Sequence, residues 1–535
     1  MLLEINFTMT DSINIHKIDF NISIFYRFLV KILTIVSFLE LILFPAWETL
    51  YAIFIVFLCI TIHKKTIFNS YNLIYYPAST IAISFYILFF AVLPMPATLV
   101  EFKPITYNLH STVDTFSNIL ILELLLIIIH FIYRKLSKRK NVLRNILAKF
   151  NFYTKVSSNE LWVLIISSTL LWAYIILKYG LYTEESTNTS TQLPSYLYIL
   201  NLLLSGYSYC LFIFLMPNYN IIKTPYTVNK TIIVFITVIL FLIGIATNMR
   251  TATVMVIANG FFLFIVYNIY YPIDYKKYLK FKTVIISIIL IYFFTGPFIN
   301  ISKAMLETRG NRAGKSGIEM IEMTFNSLQN NEKKNQNKKL KESGIVWDEE
   351  YLNNDILNRF CSIKILDETL FHAQRVGYAN PIMQEHLKIK LIDFIPGVIK
   401  RAFNIKIPEE TRHYSLTDVL YSLSINSPSA RGGVKIGTLQ GLGLSILGYW
   451  YLLVLIPIFI IIFYFIDAGT LFCYNEKKMY FSLWFLINII SICYYFSDKH
   501  YYEYEFRYIF RGFFESIIFF LITINLIKRL PFIKH

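Results

Sequence analysis

The segment TIIVFITVILFLIGIATNMRTATVMVIANGFFLFIVYNIY, residues 231–270, sets the class of fold. It holds two apolar runs joined by the short turn NMRT, and its only charged residue is Arg250. An apolar run of about 18 to 20 residues is long enough to cross the hydrocarbon core of a bilayer as an α-helix. The pattern therefore predicts two antiparallel transmembrane helices joined by a turn at the membrane surface.

Similar apolar runs recur along the 535-residue chain, which is 56% hydrophobic and has a mean hydropathy of +0.53. This composition excludes a soluble globular protein of the same length. We predict an all-α fold, a polytopic helical membrane protein with about twelve transmembrane helices. The predicted spans are residues 22–44, 50–62, 73–93, 116–133, 161–177, 196–216, 231–247, 252–270, 283–298, 442–465, 481–495 and 509–527.

The predicted spans divide the chain into three parts. Residues 1–299 form an N-terminal membrane bundle of about nine spans, and residues 436–535 form a C-terminal bundle of about three. Between them, residues 300–435 form a large, partly helical loop. A loop of this length is usually functional or disordered. We expect the chemistry of this protein where the loop meets the ends of the spans.

The net charge of +16 lies mainly in clusters of Lys and Arg on alternate loops between the predicted spans. Such clusters mark the cytoplasmic side of a membrane protein. The large loop is nearly balanced, with 19 Lys and Arg against 16 Asp and Glu in residues 301–434. The distribution predicts that both termini are cytoplasmic and that the large loop is extracytoplasmic. It excludes nucleic acid as a partner, because the positive charge follows membrane topology.

Within the large loop, residues 354–376 have the spacing of an amphipathic helix that ends before Gly377. Glu368, His372 and Arg375 are spaced i, i+4 and i+7, which places all three on one stripe of this helix. The stripe is either a group with chemistry of its own or a solvated helix face with one intrahelical pair. The spacing leaves both interpretations open.

Several arginines lie on the predicted outer side of the membrane. Arg250 in the turn NMRT either binds an anionic ligand or extends towards the lipid headgroups. The large loop adds Arg309, Arg312, Arg359 and Arg431. Arginine suits a diphosphate, because the planar guanidinium binds phosphate oxygens in pairs and stays charged. No D-x-D, Walker, H-E-x-x-H or G-x-S-x-G motif occurs in the loop, so we expect neither a metal ion nor a serine nucleophile.

Two further stretches lie at the C-terminal end of the loop. The segment LIDFIPGVIKRAF, residues 391–403, is amphipathic and interrupted by proline, and GVKIGTLQGLGLSILG, residues 433–448, is rich in glycine and leads into an apolar run. Glycine allows a backbone to approach a ligand or another backbone closely. Tight helix packing within the membrane is the other interpretation of the glycine-rich stretch.

The whole layout resembles the bacterial O-antigen polymerase (Wzy-type) family of oligosaccharide repeat-unit polymerases. The similarity lies in the many spans with a large extracytoplasmic loop before the last few, and in the arginine of NMRTATV, residues 248–254. It also lies in the order of the proline-containing and glycine-rich stretches that close the loop. This resemblance implies an enzyme of the bacterial inner membrane.

The resemblance implies a membrane glycosyltransferase that polymerises the oligosaccharide repeat units of a surface polysaccharide, an O-antigen or a capsule. The units are carried on undecaprenyl pyrophosphate at the outer face of the inner membrane. The expected partners are these lipid-linked oligosaccharides, membrane lipid and a chain-length regulator, and no cofactor is expected. For the general base we predict His372, with His413 or Glu368 behind it. For the pyrophosphate we predict the arginines Arg250, Arg359 and Arg431, with Arg309 and Arg312 in reserve.

Two other functions remain open at this point. An O-antigen ligase shares the architecture and the lipid-linked donor, and differs in its acceptor. A lipid-linked oligosaccharide flippase, a transporter, has about as many spans, but that class predicts short outer loops and charged residues within the spans. The long loop and the mostly uncharged spans favour an enzyme.

Overall fold

A computed structural model describes residues 15–137, 141–179, 194–216, 230–246, 250–271, 300–301, 304–305, 308, 317–330, 347–393, 395, 400, 403–405, 414–431, 435–473, 478–496 and 502–529. Eight helices in this part of the chain are long and apolar enough to cross a membrane. They cover Ile18–Leu43, Trp47–Thr66, Pro77–Val100, Thr112–Ser137, Ser158–Tyr179, Ser195–Leu215, Leu439–Gly469 and Glu505–Arg529. The helices are consistent with the predicted all-α membrane protein, whereas the predicted number of about twelve spans is not confirmed.

The described residues in the first half of the chain are mostly helical. Its helices are α1 (Ile15–Leu43), α2 (Trp47–Thr66), α3 (Ser70–Tyr75), α4 (Pro77–Ile87), α5 (Pro94–Val100), α6 (Thr112–Ser137), α7 (Val142–Lys149), α8 (Ser158–Tyr179), α9 (Ser195–Leu204), α10 (Lys230–Ala246) and α11 (Arg250–Tyr270).

The second half adds shorter helices and one small hairpin. They are α12 (Gly317–Asn330), α13 (Asp355–Arg359), α14 (Ile363–Val376), α15 (Pro381–Asp393), α16 (Leu416–Ser424), α17 (Leu439–Leu447), α18 (Tyr451–Ile466), β1 (Thr470–Cys473), β2 (Lys478–Phe481), α19 (Leu483–Ile487), α20 (Ile489–Cys493), α21 (Tyr502–Arg507) and α22 (Phe513–Arg529). The two strands pair antiparallel, with Thr470 opposite Phe481.

Four of the predicted spans do not correspond to any of these eight helices. The predicted spans 231–247 and 252–270 correspond to shorter apolar helices, Lys230–Ala246 and Ile257–Tyr270. The predicted span 481–495 consists of the two short helices α19 and α20. The predicted span 283–298 lies outside the described residues.

Helix α4 lies at the centre of the bundle, and ten of its eleven residues are buried. Pro77 occupies its first turn, where the missing N–H removes no intrahelical hydrogen bond. The Asp467 carboxylate accepts hydrogen bonds from the backbone N–H groups of Ala78 (2.8 Å) and Ser79 (3.0 Å). A side chain that follows α18 thus caps the first turn of α4.

The tenth predicted span, residues 442–465, is not one continuous helix. Helix α17 ends at Gly448, whose φ of +57° no ordinary L-residue adopts readily, and α18 begins three residues later. Tyr449 and Trp450, at the break, are exposed. Helix α17 packs against α14 of the large loop, and eight of its nine residues are buried. The part of the chain that packs with the loop therefore extends beyond the predicted boundary at residue 435.

The contact between α17 and α14 depends on Gly441, which has no side chain. A Cβ atom on Gly441 would lie 2.5 Å from the side chain of Thr369 and 2.7 Å from its backbone carbonyl carbon. Only glycine lets the two helices cross this closely. The structure thus gives this glycine a role in tight helix packing, against a helix of the large loop.

Residues 347–354 are bound to the short connection between α5 and α6. The Glu101 carboxylate accepts hydrogen bonds from the backbone N–H groups of Asn353 (2.9 Å) and Asn354 (2.8 Å). The Tyr351 hydroxyl donates to the carbonyl oxygen of Ile105. The described part of the large loop is therefore attached to one end of the helix bundle.

Candidate functional site

Helix α14 carries four ionisable side chains on its buried surface. Lys364, Asp367, Glu368 and His372 are each at most 2% exposed. Such groups are rarely buried unless they are paired and hydrogen-bonded, because removing a charge from water costs several kcal/mol. We refer to these four residues together with His110 as the Glu368 cluster.

Every polar atom of the Glu368 carboxylate has a partner. One oxygen, Oε2, lies 3.0 Å from Lys364 Nζ and 3.0 Å from His110 Nε2. The other oxygen, Oε1, lies 3.2 Å from His372 Nε2 and accepts a hydrogen bond of 3.1 Å from the backbone N–H of Asp348. Two imidazoles, one ammonium group and one amide therefore surround a single carboxylate.

These contacts determine the ionisation of Glu368. Burial alone would raise its pKa, but the hydrogen bond from His372, the charge of Lys364 and the Asp348 amide together lower the pKa to about 2. Glu368 is therefore a carboxylate at neutral pH. A carboxylate so strongly stabilised is a poor proton acceptor, and it suits the role of orienting a histidine.

Asp367 connects the cluster to a membrane span. Its carboxylate accepts hydrogen bonds from the backbone N–H groups of His110 (2.9 Å) and Ser111 (3.1 Å), and from the hydroxyl of Thr115 (3.1 Å). Because α6 begins at Thr112, the two backbone donors immediately precede the helix, and the Thr115 hydroxyl belongs to its first turn. The carboxylate also interacts favourably with the dipole at the start of the helix. The cap holds the backbone of His110 beside α14.

His110 is the member of the cluster that reaches the surface. Its side chain is 37% exposed, whereas that of Glu368 is 1% exposed. The imidazole is stacked on the Phe371 ring, with centroids 3.9 Å apart and an angle of 9° between the planes. Stacking and the contact with Glu368 fix the orientation of the ring. Its Nε2 faces Glu368, which leaves Nδ1 as the nitrogen available to a ligand.

His372 is enclosed on all sides by other groups. Its Nδ1 lies 2.6 Å from the Ser424 hydroxyl, and its ring is stacked on Trp347 with centroids 5.0 Å apart. The Ser424 hydroxyl also reaches the carbonyl oxygen of Tyr421 at 2.8 Å. His372 thus lies between the Glu368 carboxylate and a serine, with no exposed atom of its own.

A metal ion is an alternative partner for part of this cluster. Ligand atoms of His110, Asp367 and Glu368 all lie within 4.8 Å of one another. Lys364 Nζ, however, lies 3.1 Å from Asp367 Oδ2 and 3.0 Å from Glu368 Oε2. A cation placed between these carboxylates would meet the ammonium group at close range. The donor set therefore fits the lysine better than a metal ion.

Two arginines lie beside α16. Arg375 Nε donates to the Ser424 carbonyl oxygen (3.4 Å), and Arg431 Nε donates to the Ser422 hydroxyl (3.1 Å). Among the residues that the structure describes, neither forms an ion pair with a carboxylate. Both guanidinium groups are therefore held at Nε, and in the described part of the chain their charge is not neutralised.

The structure brings together two of the predicted site residues, Glu368 and His372, and it places His372 and Arg375 of the predicted i, i+4, i+7 stripe against one element, α16. The stripe is mainly buried rather than solvated. Arg431 contacts the same helix, whereas Arg359 is exposed at the end of α13. Four predicted site residues have side chains outside the described part of the chain: Arg250, Arg309, Arg312 and His413.

The sequence analysis missed His110, Lys364 and Asp367. The spacing of Lys364 relative to Asp367 and Glu368, i+3 and i+4, was visible and predicts contacts on one helix face. His110 is 257 residues away from Asp367, and no periodicity relates the two. No protein-family model, curated protein or solved structure matches the chain.

Proposed function

We propose that this protein polymerises lipid-linked oligosaccharide repeat units of a surface polysaccharide, by glycosyl transfer at the outer face of a bacterial inner membrane. The observation that carries the proposal is the contact of 3.0 Å between the part-exposed imidazole of His110 and the buried carboxylate of Glu368. A histidine oriented by a carboxylate is a common general base. It lies beside helices that are long and apolar enough to cross a membrane, where a lipid-linked substrate would be found.

In the proposed reaction, a hydroxyl of one lipid-linked unit attacks the anomeric carbon of the growing chain. The new bond joins the hydroxyl oxygen to that carbon, and the bond from the carbon to the diphosphate oxygen breaks. The diphosphate leaves with the electron pair, and His110 Nδ1 accepts the hydroxyl proton. Glu368 then stabilises the imidazolium that forms. The predicted base, His372, has no exposed atom, which favours a positioning role for it.

The leaving diphosphate requires positive charge. Arg375 and Arg431 border the same helix, α16, and each uses Nε in its described hydrogen bond. A guanidinium held in this way presents its other nitrogens in a fixed orientation, which suits binding to phosphate oxygens. Arg250, Arg309, Arg312 and Arg359 remain predicted contributors to the same role.

The test uses a strain that lacks its own copy of this protein and carries plasmid variants. Replacing the base, His110→Ala, should reduce the polymerisation rate by about 10²-fold or more, and the ladder of long chains should disappear. The readouts are the polysaccharide ladder on a gel and the amount of protein in the membrane fraction. Tyr107→Ala, an exposed residue of the same connection, should leave the ladder unchanged and serves as the matched control.

A normal ladder in His110→Ala at normal protein abundance would refute the assignment of the base. The polysaccharide of the strain that lacks this protein and carries no plasmid variant distinguishes a polymerase from a ligase. Loss of everything longer than one repeat unit indicates a polymerase, whereas accumulation of lipid-linked polymer that has not been transferred indicates a ligase.

A further inference from the structure

A second group of ionisable side chains lies inside the helix bundle, away from the Glu368 cluster. His63 on α2 places Nδ1 at 2.8 Å from Glu123 Oε1 on α6, and its Nε2 at 2.9 Å from the Ser84 hydroxyl on α4. Glu123 is 0% exposed and His63 is 7% exposed. All three belong to helices that are long and apolar enough to cross a membrane. Ionisable residues at such positions are costly and are functional candidates by default.

The hydrogens of this group can be arranged in two ways. The Ser84 hydroxyl has one hydrogen and two acceptors within reach, the Thr80 carbonyl oxygen at 2.7 Å and His63 Nε2 at 2.9 Å. If it donates to Thr80, both ring nitrogens of His63 face acceptors, and the His63–Glu123 pair holds one additional proton. If it donates to His63, the pair holds one proton fewer. The pair can therefore gain or lose a proton by rotation of one hydroxyl group.

A separate set of hydrogen-bonded groups lies towards the end of the bundle that carries Asp467, and no hydrogen bond joins it to this pair among the described residues. His130 interacts electrostatically with His63, and its Nε2 lies 3.2 Å from the Ser79 hydroxyl. The Ser79 hydroxyl donates to Asp467 Oδ2 at 2.7 Å. Because Ser79 gives its hydrogen to Asp467, His130 donates from Nε2, and Nδ1 is left as an acceptor.

Further polar groups lie in the opposite direction, towards the Glu368 cluster, and no hydrogen bond joins them to the pair among the described residues. Tyr86 on α4 interacts electrostatically with Glu123, and its hydroxyl donates to the carbonyl oxygen of Ile119 on α6 at 3.1 Å. One turn earlier on α6, the Thr115 hydroxyl donates to Asp367. Polar groups between α4 and α6 thus extend from Asp367 to Asp467. We refer to this set as the polar seam; its side chains are Thr115, Tyr86, Glu123, His63, Ser84, Thr80, His130 and Ser79.

The polar seam differs from a purely structural network in its unsatisfied atoms. Glu123 Oε2, Thr80 Oγ1 and His130 Nδ1 are buried and have no hydrogen-bond partner among the described residues. Each unsatisfied buried group costs about 1–3 kcal/mol, and a network that only joins helices gains nothing by retaining it. Among the described residues, no hydrogen bond joins Tyr86 to Glu123, His63 to His130, or Tyr86 to Thr115. Glu123 and His130, which border two of these intervals, each carry one of the unsatisfied atoms.

The titratable groups that face the His63–Glu123 pair come from each helix packed around it. Cys59 lies on α2 itself, Tyr86 lies on α4, and His130 and Arg134 lie on α6. Among these groups in the described part of the chain, only Arg134 is permanently charged, and it hydrogen-bonds to Asn72 at 2.8 Å.

We propose that the polar seam transfers protons across the membrane, with the His63–Glu123 pair as its proton-binding site. A proton enters at one end of the seam, is held between His63 Nδ1 and Glu123 Oε1, and leaves at the other end. Only N–H and O–H bonds are formed and broken. Each transfer moves one positive charge, so another cation must cross the membrane in the opposite direction for flow to continue.

The test uses the full chain reconstituted into vesicles that contain a pH-sensitive dye. Potassium and valinomycin set the membrane potential and carry the compensating charge. The wild-type protein should acidify the vesicle interior faster than occurs in vesicles without protein. Glu123→Gln should reduce this rate to that of protein-free vesicles, because the amide holds no transferable proton.

Glu160→Gln is the matched control. Glu160 is also buried, but its carboxylate accepts a hydrogen bond from the Ser157 backbone N–H at the start of α8, outside the seam. Thermal unfolding of each reconstituted variant monitors folding. If Glu123→Gln does not fold, Ser84→Ala decides the question, because it removes one hydroxyl and should also abolish the flow. A wild-type rate equal to that of protein-free vesicles, or an undiminished rate in the folded seam variant, would overturn the proposal.

Discussion

Two parts of this molecule use the same order of side chains, a carboxylate, an imidazole and a serine hydroxyl that also reaches a backbone carbonyl oxygen. They are Glu368–His372–Ser424 in the loop segment and Glu123–His63–Ser84 between the helices of the bundle. The His–Ser distances are similar, 2.6 and 2.9 Å. The two groups differ in what surrounds the carboxylate.

In the loop segment, the second oxygen of Glu368 contacts Lys364 and His110. In the bundle, the second oxygen of Glu123 has no hydrogen-bond partner among the described residues. A fixed cation keeps the first carboxylate ionised, whereas the second can be neutralised by a proton that it shares with His63. In our proposals, the same order of side chains orients a base in one place and holds a mobile proton in the other.

The largest expected effect comes from removing the fixed cation. Lys364→Met leaves Asp367 and Glu368 as buried, uncompensated carboxylates, and should lower the free energy of unfolding by about 3–5 kcal/mol. Thermal unfolding of the purified protein in detergent measures the change. Lys388→Met is the matched control, because its ion pair with Glu385 is solvent-exposed and should contribute at most about 1 kcal/mol.

If Lys364→Met and Lys388→Met unfold at the same temperature, Lys364 is not the charge that distinguishes the two groups. Adding Glu368→Gln to Lys364→Met removes one of the uncompensated carboxylates. The double variant should therefore recover part of the lost stability.

The pH dependence of stability is the next largest effect. The pKa of Glu368 is lowered from 4.5 to about 2 in the folded chain. A group with a lowered pKa contributes its full stability above its unfolded pKa, and this contribution is lost as the pH falls from 4.5 towards 2. The contribution at neutral pH is about 3 kcal/mol. Unfolding temperatures measured across this acidic range should therefore fall more steeply for the wild type than for Glu368→Gln. Parallel curves would contradict the assignment.

A smaller effect tests the helix contact that supports the Glu368 cluster. Gly441→Ala places a Cβ atom 2.7 Å from the backbone of Thr369, so α17 must move away from α14 at a cost of about 1–3 kcal/mol. Gly512→Ala is the control, since its Cβ would have no neighbour closer than 3.7 Å. Unfolding temperatures of the two variants should differ accordingly. Equal temperatures would mean that the helices tolerate the methyl group.

The smallest effect concerns the serine that each of the two groups contains. Ser424→Ala and Ser84→Ala each remove one hydrogen bond to an imidazole, and each should cost about 1 kcal/mol in unfolding free energy. Only Ser84→Ala should stop proton entry into vesicles. If Ser424→Ala also stopped it, the Glu368 cluster would belong to the same proton path, and the contrast between the two groups would not hold.

The membrane helices were predictable because hydrophobicity is a local property of the sequence. Their interruptions were not, since these depend on packing. The break at Gly448 and the short helices α19 and α20 are stable only because other helices surround them. No hydropathy profile distinguishes such segments from ordinary spans.

The candidate site was predictable only within one helix. The spacing of Glu368 and His372 predicts their contact, because residues i and i+4 are neighbours on a helix. The contacts of His110 with Asp367 and Glu368 join residues more than 250 positions apart. Their burial and partners follow from tertiary structure, and a single sequence carries no local signal for them.

The position of Asp467 along the chain has a consequence for biosynthesis. Its carboxylate is the acceptor for the first turn of α4, yet it is 389 residues downstream of Ala78. A ribosome that adds roughly 5–20 residues per second reaches it roughly 20–80 s later. During that interval, the central helix of the bundle lacks the acceptor for its first backbone amides. The first turn of α4 can therefore gain its native cap only after Asp467 has been translated.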